Sequence, residues 1–208
     1  MLTKDEIIKR LELMYFDIGY TSPVILDNLY VTNVLFSDEF MRAPASTKYH
    51  GSYPGGLIEH SLNVADTLCR LTRDNNLKWE RCDSPVIIGL FHDICKMDQY
   101  KSNYTSAVYY ENEVAVRLQD PQQPYTFNNE TLLKGHGDKS IMMLASITQL
   151  TEEEVACIRY HMGAFTDKEE WKDYTRAIHK YPNVLWTHHA DMIATHIIEV
   201  DKEDKIGE

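Results

Sequence analysis

Apolar residues recur at helical spacing along most of the chain. Thr3 followed by Glu6 forms a capping-box pattern, and Ile7, Leu11 and Met14 then share one face, which predicts a first helix over residues 3–15. Residues 41–56 read as loop, because Pro44, Gly51, Pro54 and the Gly55-Gly56 pair interrupt regular structure. Leu57, Ser61, Val64, Leu68 and Leu71 then repeat at three- and four-residue steps, and His60 falls within the same inward stripe. Ser84-Pro85 marks a helix start, and the run Val86-Ile87-Ile88-Gly89-Leu90-Phe91 is apolar all round, as in a buried central helix. His92 and Asp93 fall at its C-terminal end.

The period changes between Asp98 and Thr131. Val114, Val116 and Leu118 alternate with other residues, Pro121-Gln122-Gln123-Pro124 is turn-like, and Tyr125-Thr126-Phe127 alternates again, so a small β-hairpin is expected within about residues 105–130. Helical spacing returns at Ile141, Leu144 and Ala145, with Asp138 as the expected cap. It returns again at Val155, Ile158 and Met162 after a second capping box, Thr151 to Glu154, which puts His161 near that helix's C-terminal end. A last helix is expected from Pro182-Asn183, carrying Val184, Asp191, Ala194 and Ile198 on one face. The mixed charges from Asp201 onward predict a frayed tail. The pattern as a whole predicts an all-α helical bundle with a small β-hairpin insertion.

No repeat or linker-like composition shift divides the 208 residues, so a single domain over 1–208 is expected. Cys69, Cys82, Cys95 and Cys157 form no C-x-x-C pair, which favours reduced, mostly buried thiols over a disulfide framework or a zinc ribbon. No apolar stretch approaches the ~18–20 residues needed to span a bilayer, and no basic-then-apolar leader opens the chain. A cytoplasmic protein without membrane partners is the expectation. A formal net charge of −11 argues against a broad nucleic-acid-binding surface, which needs clustered Lys and Arg. It leaves room for a small phosphorylated substrate, since a cleft with bound cations carries its own local positive charge.

The chemistry concentrates on His92-Asp93. An imidazole and a carboxylate at the end of a buried apolar run need a partner, because an unpaired buried charge costs several kcal/mol. A divalent cation is one such partner. His60 upstream, and His136, His161 and Asp191 downstream, are further candidate ligands, and together with the dyad they can hold one or two metals. Histidine and aspartate of this kind suit Mn²⁺, Fe²⁺, Mg²⁺ or Zn²⁺. Any one of these histidines alone would more often be a satisfied structural residue; it is the joint pattern that points to metal.

Ordered in this way, the residues resemble the HD-domain metal-dependent phosphohydrolases, whose pattern is His, then His-Asp, then Asp on separate helices. The matching segments are Gly-Gly-Leu-Ile-Glu-His-Ser around His60, Leu-Phe-His-Asp-Ile-Cys-Lys around His92 and Asp93, and His-His-Ala-Asp-Met around Asp191. The likeness runs from about residue 48 to about residue 198. It implies an HD-type bundle. His136 in Gly-His-Gly-Asp-Lys-Ser and His161 in Arg-Tyr-His-Met-Gly match the two extra histidines of binuclear members. The resemblance then implies one metal on His60, His92 and Asp191, a second on His136 and His161, and Asp93 bridging both. Lys96 completes a His-Asp-x-x-Lys pattern and, within one helical turn of Asp93, is placed to reach a phosphate or a metal-bound carboxylate. A lysine just past a helix end also commonly caps carbonyls or is solvated. Lys48 and His50, in the loop before His60, are candidate substrate-binding residues, although many relatives carry two adjacent histidines where this chain has His50-Gly51. His188 is expected to line the pocket and His189 to point away.

The function this implies is metal-dependent hydrolysis of a small phosphate ester, a nucleotide or related metabolite, by metal-activated water. Asp93 and Lys96 are the catalytic candidates. The segment around His60 particularly resembles HD domains of bacterial 3′–5′ exoribonucleases, but no oligonucleotide-binding barrel fits in the first forty residues. Two other classes fit the same ligands: an HD-type di-iron oxygenase, and a non-catalytic HD signalling or binding domain. Tyr100, Tyr104, Tyr109, Tyr110, Tyr125 and Phe127 either cover the cleft and stack on a base or, as strands favour, pack the hairpin on the helices. Oligomeric state stays open, with a homodimer as the default.

Overall fold

The computed structural model describes residues 1–111, 114–133 and 135–200. The molecule is mostly helical with a small antiparallel β region. Helix α1 (Lys4–Asp17) begins at the expected capping box, with Thr3 and Glu6 satisfying each other's backbone N–H groups, and buries Ile7, Leu11 and Met14. Short helices α2 (Leu29–Leu35) and α3 (Asp38–Arg42) lead into an irregular segment that ends at Gly55, where α4 (Gly56–Asn75) starts. The remaining helices are α5 (Ser84–Phe91), α6 (Lys96–Gln99), α7 (His136–Ala145), α8 (Glu152–Arg159), α9 (Trp171–Lys180) and α10 (Asn183–Ile193), the last running into a π-helical turn over Ala194–Ile198. No helix among the described residues is long and apolar enough to cross a membrane.

Helices α4 and α5 form the centre of the core. Every residue of α5 is buried, as an all-apolar helix requires, and α4 contributes Leu57, Leu62, Val64 and Leu68 beside the buried His60. The two helices approach so closely at Gly89 that a Cβ there would lie 2.3 Å from Ala65 Cα. Helix α8 is pinned to this pair through Glu154. Its carboxylate closes the Thr151 capping box and also accepts hydrogen bonds from Ser84 Oγ at 2.7 Å and from Arg81 Nη2 at 2.8 Å. One buried carboxylate thus ties the starts of α5 and α8 together.

A small β-hairpin forms in the expected region: strand β3 (Val114–Gln119) pairs with β2 (Tyr104–Glu111), while β4 (Tyr125–Phe127), beyond the Pro121–Pro124 segment, pairs with β1 (Tyr100–Ser102). Both pairings are antiparallel. The 121–124 segment is still a turn, in which Asp120 Oδ1 accepts from the N–H groups of Gln122 and Gln123. Tyr104, Val108 and Tyr110 face solvent, so no core imposes a period of two on β2 and the strand leaves little pattern to read.

Three smaller expectations shift. Asp138 does not cap α7, which starts at His136 after Gly135; its carboxylate pairs instead with Arg159 Nη1 at 2.6 Å. Met162 lies past the end of α8, whose buried residues are Glu153, Glu154, Cys157 and Ile158. Ile198 is 42% exposed, because the π turn inserts a residue into the register and carries Glu199 onto the face where Ile198 was expected. The tail from Asp201 and the Tyr109 side chain lie outside the described residues.

At the α4–α5 crossing the atoms that a side chain at position 89 would meet are the backbone N and Cα of Ala65 and its Cβ, none of which can move by a rotamer change. Gly89→Ala is therefore expected to cost about 1–3 kcal/mol, read as a lower chemical-denaturation midpoint. An unchanged midpoint would contradict the close packing described here.

Candidate metal centre

The expected ligands arrive at one point from five separate elements. His60 projects from the N-terminal part of α4 and Asp191 from α10; His136 is the first residue of α7; His92 and His161 each sit just past the end of a helix, α5 and α8. His60, His92, Asp93 and His161 are 3% exposed or less.

The two post-helical histidines use the same device. A helix leaves its last carbonyls without intrahelical partners. His92 Nδ1 donates to Gly89 O at 2.9 Å, and His161 Nδ1 donates to Ile158 O at 2.7 Å, each three residues back. A carbonyl only accepts, so Nδ1 carries the proton and Nε2 presents a lone pair to the interior, the tautomer a metal ligand needs. The helix C-termini also place partial negative charge beside the cluster, which favours a cation.

Asp93 lies between two groups of imidazoles. Its Oδ2 is 3.7 Å from His60 Nε2 and 3.5 Å from His92 Nε2, while its Oδ1 is 2.5 Å from His136 Nε2 and 3.4 Å from His161 Nε2. Asp191 Oδ1 lies 3.3 Å from His60 Nε2, on the first side. The Nε2 atoms of His60, His92 and His161 are buried without a well-formed hydrogen bond. Buried polar atoms are rarely left in that condition, and a divalent cation on each side of Asp93 would satisfy all of them. Four overlapping sets among the described residues, His50–His60–Glu199, His60–His92–Asp191, His92–Asp93–His161 and Asp93–Cys95–His136, have ligand atoms close enough to share one ion.

Burial raises the Asp93 pKa, but Lys96 and His136 more than offset this and hold the carboxyl well below its usual range. Lys96 is 8% exposed, with Nζ 2.5 Å from Asp93 Oδ2, so it neither caps a helix nor sits in water. The turn His92–Cys95 sets that contact, since Lys96 N–H donates to Asp93 O and stacks the two side chains one above the other. Burial pushes the His92 pKa down to about 4, keeping it a neutral imidazole. Burial would do the same to His60, but the Asp191 and Glu199 carboxylates outweigh it and raise its pKa to about 9.

A cavity of about 360 Å³ opens onto the cluster, lined by His60, Asp93, Lys96, His136 and Asp191, with Tyr100 and His188 on its walls. His188 Nδ1 donates to His161 O at 2.8 Å, and Gly163 makes room for its ring: φ is +57° there, and a Cβ would stand 2.5 Å from the imidazole. His189 is exposed beside Trp186, as expected. His50 is half-buried, its ring 5.4 Å from that of His60. Lys48 is not brought to the cluster; it is exposed and lines a neighbouring cleft of about 1050 Å³ that shares His50, Thr195 and His196 with the inner cavity. Among the aromatics, Tyr100 lines the inner cavity and Tyr125 packs against protein, whereas Tyr104 and Tyr110 face solvent and serve neither expected role.

Two residues near the cluster were not read from the sequence. Cys95 Sγ lies 3.5 Å from His136 Nδ1, and Glu199 holds His60 Nδ1 at 3.1 Å through both carboxylate oxygens. Cys95 follows the dyad by two residues, and its nearness was the available signal. Glu199 depends on the π turn and left none.

No protein-family model, curated protein or solved structure matches the chain. The side-chain geometry alone therefore carries the assignment of a candidate metal centre. Chelator-stripped protein is expected to regain about two equivalents of Mn²⁺, and saturation at a hundredfold excess over Kd to add about 2.7 kcal/mol per site to stability. Elemental analysis should then find about one equivalent in His161→Ala and almost none in Asp93→Ala. Full metal content in Asp93→Ala would rule out this centre.

Proposed function

We propose that the protein is a metal-dependent phosphohydrolase of the HD type that cleaves a small phosphate ester, a nucleotide or a related metabolite. The observation that carries this reading is the division of Asp93: one oxygen faces His60 and His92, the other faces His136 and His161. That is the arrangement a carboxylate bridging two cations requires, and two-metal centres with a shared carboxylate serve phosphoryl transfer.

Under this reading His60, His92 and Asp191 hold one cation, His136 and His161 the other, and Asp93 both. When bound, the pair supplies a water that ionises near neutral pH and screens the charge on the phosphoryl oxygens. The chain's own residues do the rest. The helix-end carbonyls of Gly89 and Ile158 lock the imidazoles of His92 and His161, so the ligands need no reorganisation. Lys96 presents an ammonium at the cavity floor, positioned to contact a phosphoryl oxygen, and it favours an anionic phosphate over the neutral organic substrate of an oxygenase. Tyr100 and His188 form the wall against which a leaving group would rest. The inner cavity, about 360 Å³, is of ordinary size for a small-molecule site, and the net charge of −11 weighs against a nucleic-acid polymer.

A panel of phosphomonoesters and phosphodiesters assayed with Mn²⁺ is expected to give turnover that chelator abolishes. Lys96→Ala should lower kcat by roughly 10²–10³-fold, the scale of removing one preorganised charge from a transition state, while metal content is retained. Substrate-dependent O₂ consumption by iron-loaded protein, with no phosphate release from any ester, would replace this reading with the oxygenase one.

A further inference from the structure

Glu199 is a half-buried carboxylate at the edge of the cluster, on the wall of the outer cleft, with no part in the proposed hydrolysis. It is there because α10 does not end as an ordinary α-helix. Over Ala194–Ile198 the backbone takes a π turn, and Glu199 N–H donates to Ala194 O, five residues back, at 3.0 Å. In continued α-helix Ile198 would occupy this face; the inserted residue delivers Glu199 instead. π turns inside helices occur frequently at functional sites.

The carboxylate is fixed from both ends. Its oxygens accept from His60 Nδ1 at 3.1 Å, and Oε1 also accepts from Asn63 Nδ2 at 2.9 Å. The Asn63 amide is oriented in turn by Arg10, whose Nη2 donates to Asn63 Oδ1 at 3.0 Å; a guanidinium can only donate, so the amide nitrogen must point toward Glu199. The chain of contacts runs from α1 through α4 to the end of the π turn and finishes on a candidate ligand. The four imidazoles of the cluster are thereby unequal. His92 and His161 donate to neutral carbonyls and His136 faces a thiol, but His60 is backed by a charged carboxylate.

We infer that Glu199 is a positioning residue that orients His60 and raises its basicity as a ligand, making the His60–His92–Asp191 position the tighter of the two. This rests on the metal-centre reading. The first cation would load there, and the position beside His136, whose side chain is 25% exposed, would fill second.

Calorimetric titration of the chelator-stripped full chain with Mn²⁺ tests it. The His136→Ala background reports the first position, and an Asp191→Ala background reports the second. Glu199→Gln, which keeps shape and an acceptor but removes the charge, is expected to weaken Mn²⁺ at the first position by roughly 10–100-fold, with Glu199→Ala weaker still and the second position unmoved. Wild-type affinity at the first position in both Glu199 variants would overturn the assignment. So would equal weakening at both positions together with a lower metal-free melting temperature, since that marks a purely structural role. If the wild-type chain takes up no Mn²⁺ at all, the metal-centre reading fails and this assignment with it; wild-type binding with insensitive Glu199 variants sinks the assignment alone.

Discussion

A carboxylate buried at 3% exposure is the constraint around which this molecule is organised. Taking a charge out of water costs several kcal/mol even after relaxation, and geometry must return that energy. Around Asp93 the return comes from Lys96 at 2.5 Å and from imidazoles on both sides. Lys96 and His92 are neighbours of Asp93 in the chain, but His60, His136 and His161 come from elements far apart in sequence, so the helices that carry them must pack in one arrangement for the charge to be tolerated. The Glu154 tie between α5 and α8 and the Gly89 approach between α4 and α5 fix the spacing that brings His60, His92 and His161 to the same carboxylate.

Helix termini do much of the chemical preparation. A helix end offers free carbonyls and partial negative charge, and the chain places a histidine within two residues of two such ends. The same feature that would otherwise need capping sets the tautomer of the ring. The irregular stretches supply what helices cannot: the His92–Cys95 turn stacks Lys96 on Asp93, and the π turn after α10 brings Glu199 to the back of His60. Regular helices give the centre its rigidity, and the breaks in them aim its side chains.

Much of this was legible in the residues themselves. The capping boxes at Thr3 and Thr151, the all-apolar run before His92 and the stripe containing His60 each follow from local rules, and the elements they predict form. The six candidate ligands, picked out by residue type and order, converge. What failed to show depends on interactions the local pattern does not carry. The pairing of β2 with β3 occurs in a ribbon exposed on one face, where no core enforces alternation. Asp138 looked like a cap because its salt bridge to Arg159 of α8 is a long-range contact. Glu199 was invisible because helical spacing assumes 3.6 residues per turn and the backbone departs from it at Ala194. Lys48 sits close to His50 in sequence, but the loop turns its side chain onto the Tyr49 ring in the outer cleft.

The most direct test is anomalous diffraction from crystals grown with Mn²⁺. Two anomalous peaks about 3.5–4 Å apart, one against each oxygen of Asp93, are the expected result, with His60, His92 and Asp191 around the first and His136 and His161 around the second. A single peak served by one Asp93 oxygen, or no peak within the cluster, would contradict the bridging carboxylate on which the account rests.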